Sequence, residues 1–375
     1  MPEYMLMKDG LGDEAIDRIA QSIKSAWPDF DSDGFQRAAL VGIDKLELKQ
    51  RVNHLIKVLH QFLPKSFREA AEILDRVPAN WDFGDPSNSI RGFAAWPIID
   101  YAATYGLEEP EISLPLLKQL THLHTAEFAI RPFILRYPEL CFSEFNQWIN
   151  NENHHIRRLV SEGSRPRLPW GIRLTPFCKN PSPLLPLLEA LNNDSSDYVR
   201  RSVANSLNDI SKDNPDIAVE VCSNWLANSP NNKTKWIVRH AMRSLIKSGR
   251  PDVFPLLGFT EKPKVKIEPL NLKSTELSLG DSLEFNTVLH SQAKTTQYLA
   301  IDFAIHHRKA NGSLSPKVFK WKEAKLNANE SLALSKKHGI KKINTRKYYS
   351  GIHQLDLIVN GKVISSQTFT LNGLS

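Results

Sequence analysis

The sequence lacks the features that mark secreted, membrane-spanning and thiolate-metal proteins. Its three cysteines, Cys141, Cys178 and Cys222, are far apart, so they offer neither a disulfide framework nor a CxxC metal pair. No apolar run approaches the length of about 18 residues that a transmembrane helix needs. The first residues, MPEYMLMKDG, carry acidic groups and contain no apolar signal segment. We therefore expect a protein of the reducing cytoplasm that has no membrane partner.

Motifs for nucleotide cofactors and hydrolase nucleophiles are also missing. The chain contains no GxGxxG after a strand pattern, no P-loop and no nucleophile elbow. Its two histidine clusters, His122-Leu123-His124 and His154-His155, do not have the HExxH spacing of zinc hydrolases. These absences give no support for a resident metal or a nucleotide cofactor.

The composition is that of a folded protein with an uneven charge. The 375 residues are 41% apolar and 24% charged, which is enough apolar content for two or three folded domains. Residues 261–375 contain 18 basic and 9 acidic side chains, whereas residues 1–260 contain 30 and 32. A basic excess confined to the C-terminal third suggests a polyanionic partner, usually nucleic acid. A lysine-rich soluble surface explains the same charge equally well.

Residues 1–260 show the apolar spacing of α-helices. Four segments carry it clearly: Phe67–Val77, Pro115–Leu123, Pro183–Leu191 and Asp216–Leu226. Three others share an apolar-Arg-basic triplet: His155–Val160, Tyr198–Val203 and Ile237–Met242. The triplets are 43 and 39 residues apart, and a period of about 40 with two helices per unit predicts HEAT-like repeats. Such repeats stack into a curved solenoid with a concave face.

After about Phe259 the apolar period changes to two, which predicts β-strands. The segments are Val265–Ile267, Leu277–Leu279, Leu283–Phe285, Leu299–Ile305, Leu332–Leu334, Leu355–Val359 and Thr368–Leu371. The pair Asn360-Gly361 between two apolar runs predicts a tight hairpin. About seven short strands in roughly 110 residues favour an immunoglobulin-like sandwich. We therefore predict a multidomain protein, α then β: a HEAT-like helical-repeat solenoid at 1–260 and an immunoglobulin-like β-sandwich at 261–375.

One loop stands out as a candidate site. The segment His155–Gly171 reads HIRRLVSEGSRPRLPWG, in which Glu162 comes at the end of an Arg-rich helix. Gly163 can stop that helix by adopting a positive φ, and the prolines that follow stiffen the loop. Two arginines in the loop can bind phosphates, and Trp170 can stack on a sugar or a base. The alternative is a connecting loop whose tryptophan fills a gap in the core.

Two other carboxylates are less distinctive on the residues alone. Asp209 lies deep in a helical pattern, where an aspartate gains nothing from the helix dipole. A solvated Asp209 paired with a nearby lysine is the simpler interpretation. Glu127 is followed by Arg131 at i+4, and a plain ion pair between them accounts for both.

Three stretches together resemble one enzyme family. HLHTAEFAIRPF, NHHIRRLVSEGSRPRLPWG and VRRSVANSLNDISKDNPD are similar to the AlkC branch of bacterial alkylpurine DNA glycosylases, in the AlkC/AlkD HEAT-like repeat superfamily. The resemblance covers residues 1–260, and the C-terminal immunoglobulin-like domain of some members matches residues 261–375. It implies base excision repair of cationic N3-alkylated bases, such as 3-methyladenine and 3-methylcytosine, in DNA. It also implies that the lesion is reached without full base flipping.

The resemblance assigns roles by motif position. Glu127, Glu162 and Asp209 become the catalytic carboxylates around the lesion, and Trp170 packs against its deoxyribose. Carboxylates near C1′ stabilise an oxocarbenium-like transition state, and one of them can orient and deprotonate the attacking water. That chemistry requires no metal and no organic cofactor. On an open surface, Asp209→Asn or Glu162→Gln would change the free energy of unfolding by less than about 1 kcal/mol.

The expected partner is double-stranded DNA containing alkylated bases, bound by a monomer. Phosphate contacts along the concave face are predicted for Arg157, Arg158, Arg165, Arg167, Arg173, Arg200, Arg201 and Arg239. Basic pairs of the second domain, Lys341-Lys342 and Arg346-Lys347, would clamp the far side of the duplex. The alternative from a different class is a non-enzymatic HEAT-repeat scaffold that binds DNA or protein. A cell-surface or carbohydrate-associated role for the sandwich is more remote.

Overall fold

The computed structural model describes residues 6–229, 231–343 and 345–373. In this part of the chain the last helix ends at Leu256 and the first strand begins at Val265. The change from helix to strand therefore lies beside the predicted boundary at residue 260. The chain packs as two compact units, Met1–Asn214 and Pro215–Ser375. The last helices thus belong to the same compact unit as the strands, and the functional boundary at 260 stays a prediction.

The described residues of the first unit form helices and connecting loops, with no β-strand among them. Its α-helices are α1 (Asp13–Ala26), α2 (Ser32–Leu40), α3 (Leu48–Phe62), α4 (Phe67–Arg76), α5 (Trp96–Tyr105), α6 (Pro110–Leu120), α7 (Ile130–Arg136), α8 (Pro138–Trp148), α9 (His154–Gly163), α10 (Thr175–Lys179), α11 (Leu185–Leu191) and α12 (Asp197–Ile210). Each of the longer helices buries one apolar stripe, which is the pattern expected of packed helical layers. The helix predicted from Pro115 begins five residues earlier, at Pro110, so Pro115 lies inside α6.

The repeat pattern corresponds to real packing between helices α9 and α12. Asn153 caps α9 by accepting a hydrogen bond from the backbone N–H of His155, at 2.9 Å. The first residues of the two triplets, Ile156 and Val199, are both buried. Ser161 donates a hydrogen bond of 2.7 Å to Ser202 between the two helices. The apolar residue of each triplet therefore packs inward, as predicted.

The second unit combines short helices with a β-sandwich. Its α-helices are α13 (Pro215–Asn228), α14 (Asn232–Ala241), α15 (Arg243–Lys247) and α16 (Val253–Leu256). Its strands are β1 (Val265–Ile267), β2 (Asn271–Leu272), β3 (Glu276–Ser278), β4 (Ser282–Ser291), β5 (Gln297–Arg308), β6 (Leu314–Leu326), β7 (Ser331–Gly339), β8 (Gly351–Val359) and β9 (Lys362–Asn372). Val238 of the third triplet is fully buried in α14.

The strands form two sheets over one apolar core. One sheet has the order β3-β9-β8-β5-β6; in the other, β4 pairs with β7 and also with both β1 and β2. Side chains of both sheets, such as Phe285 and Phe303, meet in the core at 5.2 Å between ring centroids. All seven predicted strands occur, and Asn360-Gly361 forms the predicted hairpin with φ of 44° and 79°. No helix in the described residues combines the length and apolar character needed to cross a bilayer.

Candidate active site

The three predicted carboxylates converge in the first unit. Glu127 lies in the turn before α7, Glu162 near the end of α9 and Asp209 near the end of α12. Their exposed fractions are 9%, 4% and 0%. Two arginines, Arg158 and Arg165, connect them in a chain of ion pairs. We call these five side chains the carboxylate cluster.

Arg165 lies between two of the acids. Its Nη1 is 2.5 Å from Glu162 Oε1 and its Nε is 2.8 Å from Asp209 Oδ2. Lys212 Nζ binds the other oxygen of Asp209 at 2.8 Å. Asp209 does have the lysine partner proposed in the simpler interpretation, but it is fully buried, so the idea of a solvated aspartate is wrong. Its burial also means that substitution there breaks an interior ion pair rather than a surface one.

Arg158 connects the other two acids. Its Nη1 is 2.5 Å from Glu127 Oε2, and its Nη2 is 3.5 Å from Glu162 Oε1. Thr125 Oγ1 donates a hydrogen bond of 2.9 Å to Glu127 Oε2. The guanidinium lies 4.8 Å from the centre of the Tyr198 ring. The predicted Glu127–Arg131 pair is not formed, because Glu127 turns to Arg158 across the helices.

The arginines keep Glu162 ionised in spite of its burial. Burial by itself would raise the pKa of Glu162, but the positive charges of Arg158 and Arg165 outweigh it, so the pKa lies below its usual value. Burial likewise acts to lower the pKa of Arg165, and the neighbouring carboxylates more than offset it. Glu162 therefore presents ionised oxygens that are held by charge-assisted hydrogen bonds.

A pocket of about 380 Å³ opens beside the cluster. Glu127, Glu162 and Trp170 line it together, and Arg165 separates it from Asp209. Its remaining wall is largely aromatic and apolar, formed by Phe93, Trp96, His124, Phe128, Leu168, Pro169 and Met7, with Thr125. Burial lowers the pKa of His124 to about 4, so its imidazole is neutral at pH 7. The pocket thus combines flat hydrophobic walls with two carboxylates and the guanidinium of Arg165, and its aromatic faces suit a flat cationic group.

Trp170 lies at the edge of this pocket in an unusual conformation. Its side chain is 57% exposed and its φ is 65°, in the left-handed region that non-glycine residues rarely adopt. Lys49 Nζ donates a hydrogen bond of 2.5 Å to the backbone oxygen of Trp170. The exposed indole does not fill a gap in the core, so the alternative interpretation of this loop is wrong. Its backbone is held so that the ring faces solvent.

Sequence reasoning missed the residue that holds this loop, Arg131. This side chain is fully buried and donates to the backbone oxygens of Gly163, at 2.7 Å, and of Ile172, at 2.6 Å. It therefore binds both ends of the loop that carries Trp170. Burial lowers the pKa of Arg131 to about 10, which leaves it charged at neutral pH. An arginine inside the apolar stretch FAIRPFIL was the available signal for such an interior role.

Gly163 has a different role from the one its sequence position suggested. Its φ is not positive, although α9 does end there. A Cβ on Gly163 would meet Ile130 Cγ2 at 2.5 Å, closer than real Cβ contacts allow. The glycine is needed because the end of α9 packs directly on α7. The positive φ in this loop belongs to Trp170 instead.

Comparison with known proteins places the chain in a family. Residues 266–373 match the family model described as the C-terminal Ig-like domain of the uncharacterised protein YhaZ. The chain is 36% identical over 364 residues to the uncharacterized protein YhaZ of Bacillus subtilis (strain 168), covering 97% of this chain and 98% of that one. It is also similar to the solved structure of Pseudomonas fluorescens alkylpurine DNA glycosylase AlkC bound to DNA containing an abasic site analog. That structure has a TM-score of 0.90 and 35% identity, over 98% of this chain and 100% of the other. The chain belongs to the AlkC family.

The resemblance seen in the sequence is thereby confirmed, and so is the predicted fold class. The match to AlkC extends over both the helical region and the sandwich, and the Ig-like model covers the strands. The AlkC-family architecture therefore accounts for the whole described chain. No group of three or more His, Cys, Asp or Glu side chains suited to a metal ion occurs in that part.

Seven of the eight arginines predicted to contact DNA have acidic or backbone partners among the described residues of this AlkC-family chain. Arg157 forms two hydrogen bonds to Asp194, at 2.6 and 2.8 Å. Arg167 forms two to Asp213, at 2.6 and 2.5 Å. The Arg157–Asp194 pair is largely buried, with side-chain exposures of 13% and 5%, whereas the Arg167–Asp213 pair is more accessible, at 28% and 25%.

The other six predicted arginines differ in their partners. Arg200 donates to backbone oxygens of Asp194 and Ser195, and Arg201 pairs with Asp197 at 3.0 Å. In the second unit, Arg239 pairs with Glu323. Arg158 and Arg165 lie inside the carboxylate cluster, and Arg173 is exposed without an ion pair among the described residues. Which of the eight bind phosphate stays a prediction.

Proposed function

We propose that this protein is a DNA glycosylase of base excision repair that hydrolyses the N-glycosidic bond of cationic N3-alkylated bases. The expected substrates are 3-methyladenine and 3-methylcytosine in double-stranded DNA. The observation that carries the proposal is the pocket in which Glu127, Glu162 and Trp170 come together. The AlkC-family fold around that pocket adds support, because the similar solved structure is that of a DNA glycosylase bound to DNA.

The charge of the pocket favours a cationic lesion. Two carboxylates and one guanidinium, that of Arg165, line it, and its aromatic walls attract positive charge through their π faces. A unit charge pair at 4 Å is worth about 4 kcal/mol at an effective dielectric of about 20. A neutral base would gain little of this energy. We therefore expect cationic alkylated bases to be released much faster than neutral or weakly polarised ones.

The proposed reaction needs only the side chains of the carboxylate cluster and water. The bond between C1′ and the base breaks with its electron pair passing to the base, whose positive charge is thereby neutralised. The sugar acquires oxocarbenium character, which the carboxylates stabilise. Water then adds to C1′ and loses its proton to a carboxylate. We assign that proton to Glu127, which has one guanidinium neighbour in the cluster, rather than to Glu162, which has two.

Asp209 and Trp170 have supporting roles in this proposal. Asp209 does not line the pocket, and it acts by fixing Arg165 and so the orientation of Glu162. Trp170 presents an exposed ring that would pack against the lesion's deoxyribose from outside the duplex. A contact made at the sugar rather than around the base is compatible with excision without full base flipping. The basic residues of both regions would bind phosphates in a salt-dependent manner.

The decisive experiment is the release of labelled bases from methylated duplex DNA. The wild-type protein is compared with Glu127→Gln, which sits at the pocket, and with Glu139→Gln, an exposed residue of α8. We expect release of 3-methyladenine and 3-methylcytosine, little release of 7-methylguanine, and a loss of about a hundredfold or more in Glu127→Gln only. No release by folded wild-type protein would favour the non-enzymatic scaffold, and equal rates in both variants would exclude the carboxylate mechanism.

A further inference from the structure

A second pocket, unused by the proposed function, lies within the second unit. It has a volume of about 350 Å³ and is bordered by α14, α15 and strands β5 and β6. We call it the α14 pocket. Its size is that of a site for a small molecule. Three kinds of side chain line it: a buried acid, a flat aromatic ring and several cations.

The buried acid is Asp302 of β5. Its side chain is nearly inaccessible, with 7% of the residue exposed, and no described residue donates a hydrogen bond to it. Burial raises the pKa of Asp302 to about 6, although Lys320, Arg239 and Lys247 act in the opposite direction. A buried carboxylate without a hydrogen-bond donor is costly. Asp302 therefore provides a vacant acceptor facing the α14 pocket.

The aromatic ring is Trp236 of α14. It stacks on His240 at 5.0 Å between centroids with an interplanar angle of 7°. Although it is a large apolar residue, 38% of it is exposed. A held, partly exposed indole is a good platform for a heteroaromatic base.

The cations surround the opening of the pocket. Lys247 and Lys322 are exposed and form no ion pair among the described residues. Lys320 and Arg239 share Glu323 as their partner. The acids Asp302 and Glu323 do not balance these four cations, so the opening carries net positive charge. Lysine ammonium groups at such an opening suit a phosphate.

We propose that the α14 pocket binds one nucleotide whose base carries an exocyclic amino group, as adenine, cytosine and guanine do and thymine does not. The amino group donates to Asp302, the base stacks on Trp236, and the phosphate contacts Lys247 and Lys322. The nucleotide comes either from solution or from a DNA strand, since both present the same groups. This site goes beyond the proposed excision function and involves none of the side chains of the candidate active site.

Equilibrium dialysis of the full chain with labelled dAMP and dTMP tests the proposal. Thymine has no exocyclic amino group, so we expect dAMP to bind about tenfold more tightly than dTMP. Asp302→Asn should remove that preference, because an amide can donate to thymine O4 as well as accept from adenine. Trp236→Ala should weaken both nucleotides, and the exposed Asp281→Asn should weaken neither. The proposal would be overturned if dAMP bound saturably and with the same affinity to wild type, Asp302→Asn and Trp236→Ala. It would also be overturned if millimolar dAMP did not bind and oligonucleotide binding did not depend on Asp302.

A second arm identifies the source of the nucleotide. Single-stranded oligo(dA) replaces dAMP in the same set of variants. If Asp302→Asn weakens oligo(dA) and dAMP alike, both sources fit the site. If it weakens oligo(dA) alone, the ligand is a nucleotide of a strand. Release of 3-methyladenine is measured separately, so that failure of nucleotide binding is not confused with failure of excision.

Discussion

At the candidate pocket, buried arginines hold acidic side chains and a loop in fixed positions. Arg158 and Arg165 alternate with three carboxylates, so each charge has an opposite neighbour. Arg131 instead uses its guanidinium to bind two backbone oxygens on either side of Trp170. Removing one member of a buried ion pair lowers the free energy of unfolding by about 3–5 kcal/mol. We therefore expect Asp209→Asn and Glu162→Gln to destabilise the protein by more than the value of about 1 kcal/mol for a surface acid. Stability must therefore be measured beside activity for every substitution in the cluster.

Arg131→Lys tests whether the position of the loop matters for excision. Lysine keeps the charge but cannot reach Gly163 and Ile172 together, so we expect base release to fall by about tenfold or more in kcat. Arg136→Lys is the matched control, because Arg136 is an exposed residue of the same helix that pairs with Glu108. Single-turnover excision and Trp170 fluorescence, obtained by difference from Trp170→Phe, are the measurements. If Arg131→Lys changed the Trp170 emission but not the excision rate, the position of the loop would not matter for catalysis.

The low pKa of Glu162 predicts how stability depends on pH. Because the folded-state pKa lies below the unfolded value of about 4.3, the stabilisation is fully present above that value. It is lost as pH falls through the folded-state pKa, where the carboxylate is protonated in both states. The difference in unfolding free energy between wild type and Glu162→Gln should therefore shrink from pH 6 to pH 3. Denaturant unfolding over this range measures it, and a constant difference would contradict the assignment.

At the scale of elements, the turn between β8 and β9 anchors the second unit. Asn360 is buried, and its side chain accepts from Ala300 N at 2.7 Å and donates to Thr260 O at 2.6 Å. The following Gly361 has a φ of 79°, and a Cβ there would meet Phe254 Cε2 at 2.5 Å. The hairpin is thus joined both to strand β5 and to helix α16. Its two turn residues cannot be exchanged for ordinary ones.

Gly361→Ala should destabilise the protein by more than Gly280→Ala. Both glycines have positive φ, but the space around Gly280 is open. Gly280→Ala therefore costs only backbone strain, about 1 kcal/mol, whereas Gly361→Ala adds a clash with Phe254. Thermal unfolding of both variants gives the comparison. Equal melting temperatures would show that the approach of Phe254 is easily relaxed.

The strands differ in how well the sequence predicts them, for physical reasons. Strand β8 is visible in the sequence because Leu355, Leu357 and Val359 all enter the sandwich core, and β5 is visible because it has a long apolar run. Strand β6 was missed because it is an edge strand, mostly exposed, with four lysines and Pro316. The two-residue β2 is too short to carry a period. Pattern alone finds strands whose core-facing side chains are mostly fully buried, whereas β6 packs the partly buried Phe319 and Trp321 against the core.

The candidate site shows the same limit more sharply. Glu162 and Trp170 belong to one unusual loop, so their importance is visible locally. Glu127 and Asp209 look ordinary in sequence, and only the resemblance to AlkC proteins pointed to them. Their importance depends on Arg158 and Arg165, which join helices far apart in the chain. Long-range ion pairs of this kind leave no periodic trace.

For the whole molecule, the compact units and the change in secondary structure do not coincide. Helices end at Leu256, but the packing boundary lies after Asn214. Val253 and Phe254 of α16 are buried within the second unit. A cut at residue 260 would therefore separate α16 from the turn between β8 and β9, which Phe254 contacts at Gly361. The residue at which the chain is truncated therefore decides whether a deletion experiment measures loss of function or loss of folding.

A chain ending at Asn214 should be better folded than one ending at residue 260. The longer chain would expose the apolar side chains of α14 to α16 and so bind the dye ANS and aggregate. Limited proteolysis and ANS fluorescence compare the two. Equal behaviour would mean that α13–α16 fold without the strands. DNA affinity of each chain against the full protein then tests the predicted role of residues 261–375.

Trp170 adopts a left-handed backbone conformation that glycine would adopt at much lower cost. A laboratory selection for heat resistance alone would therefore favour glycine at this position over any other residue. The same change would remove the exposed ring that the proposed reaction needs. The proposed role of Trp170 therefore sets activity against stability at a single pair of dihedral angles.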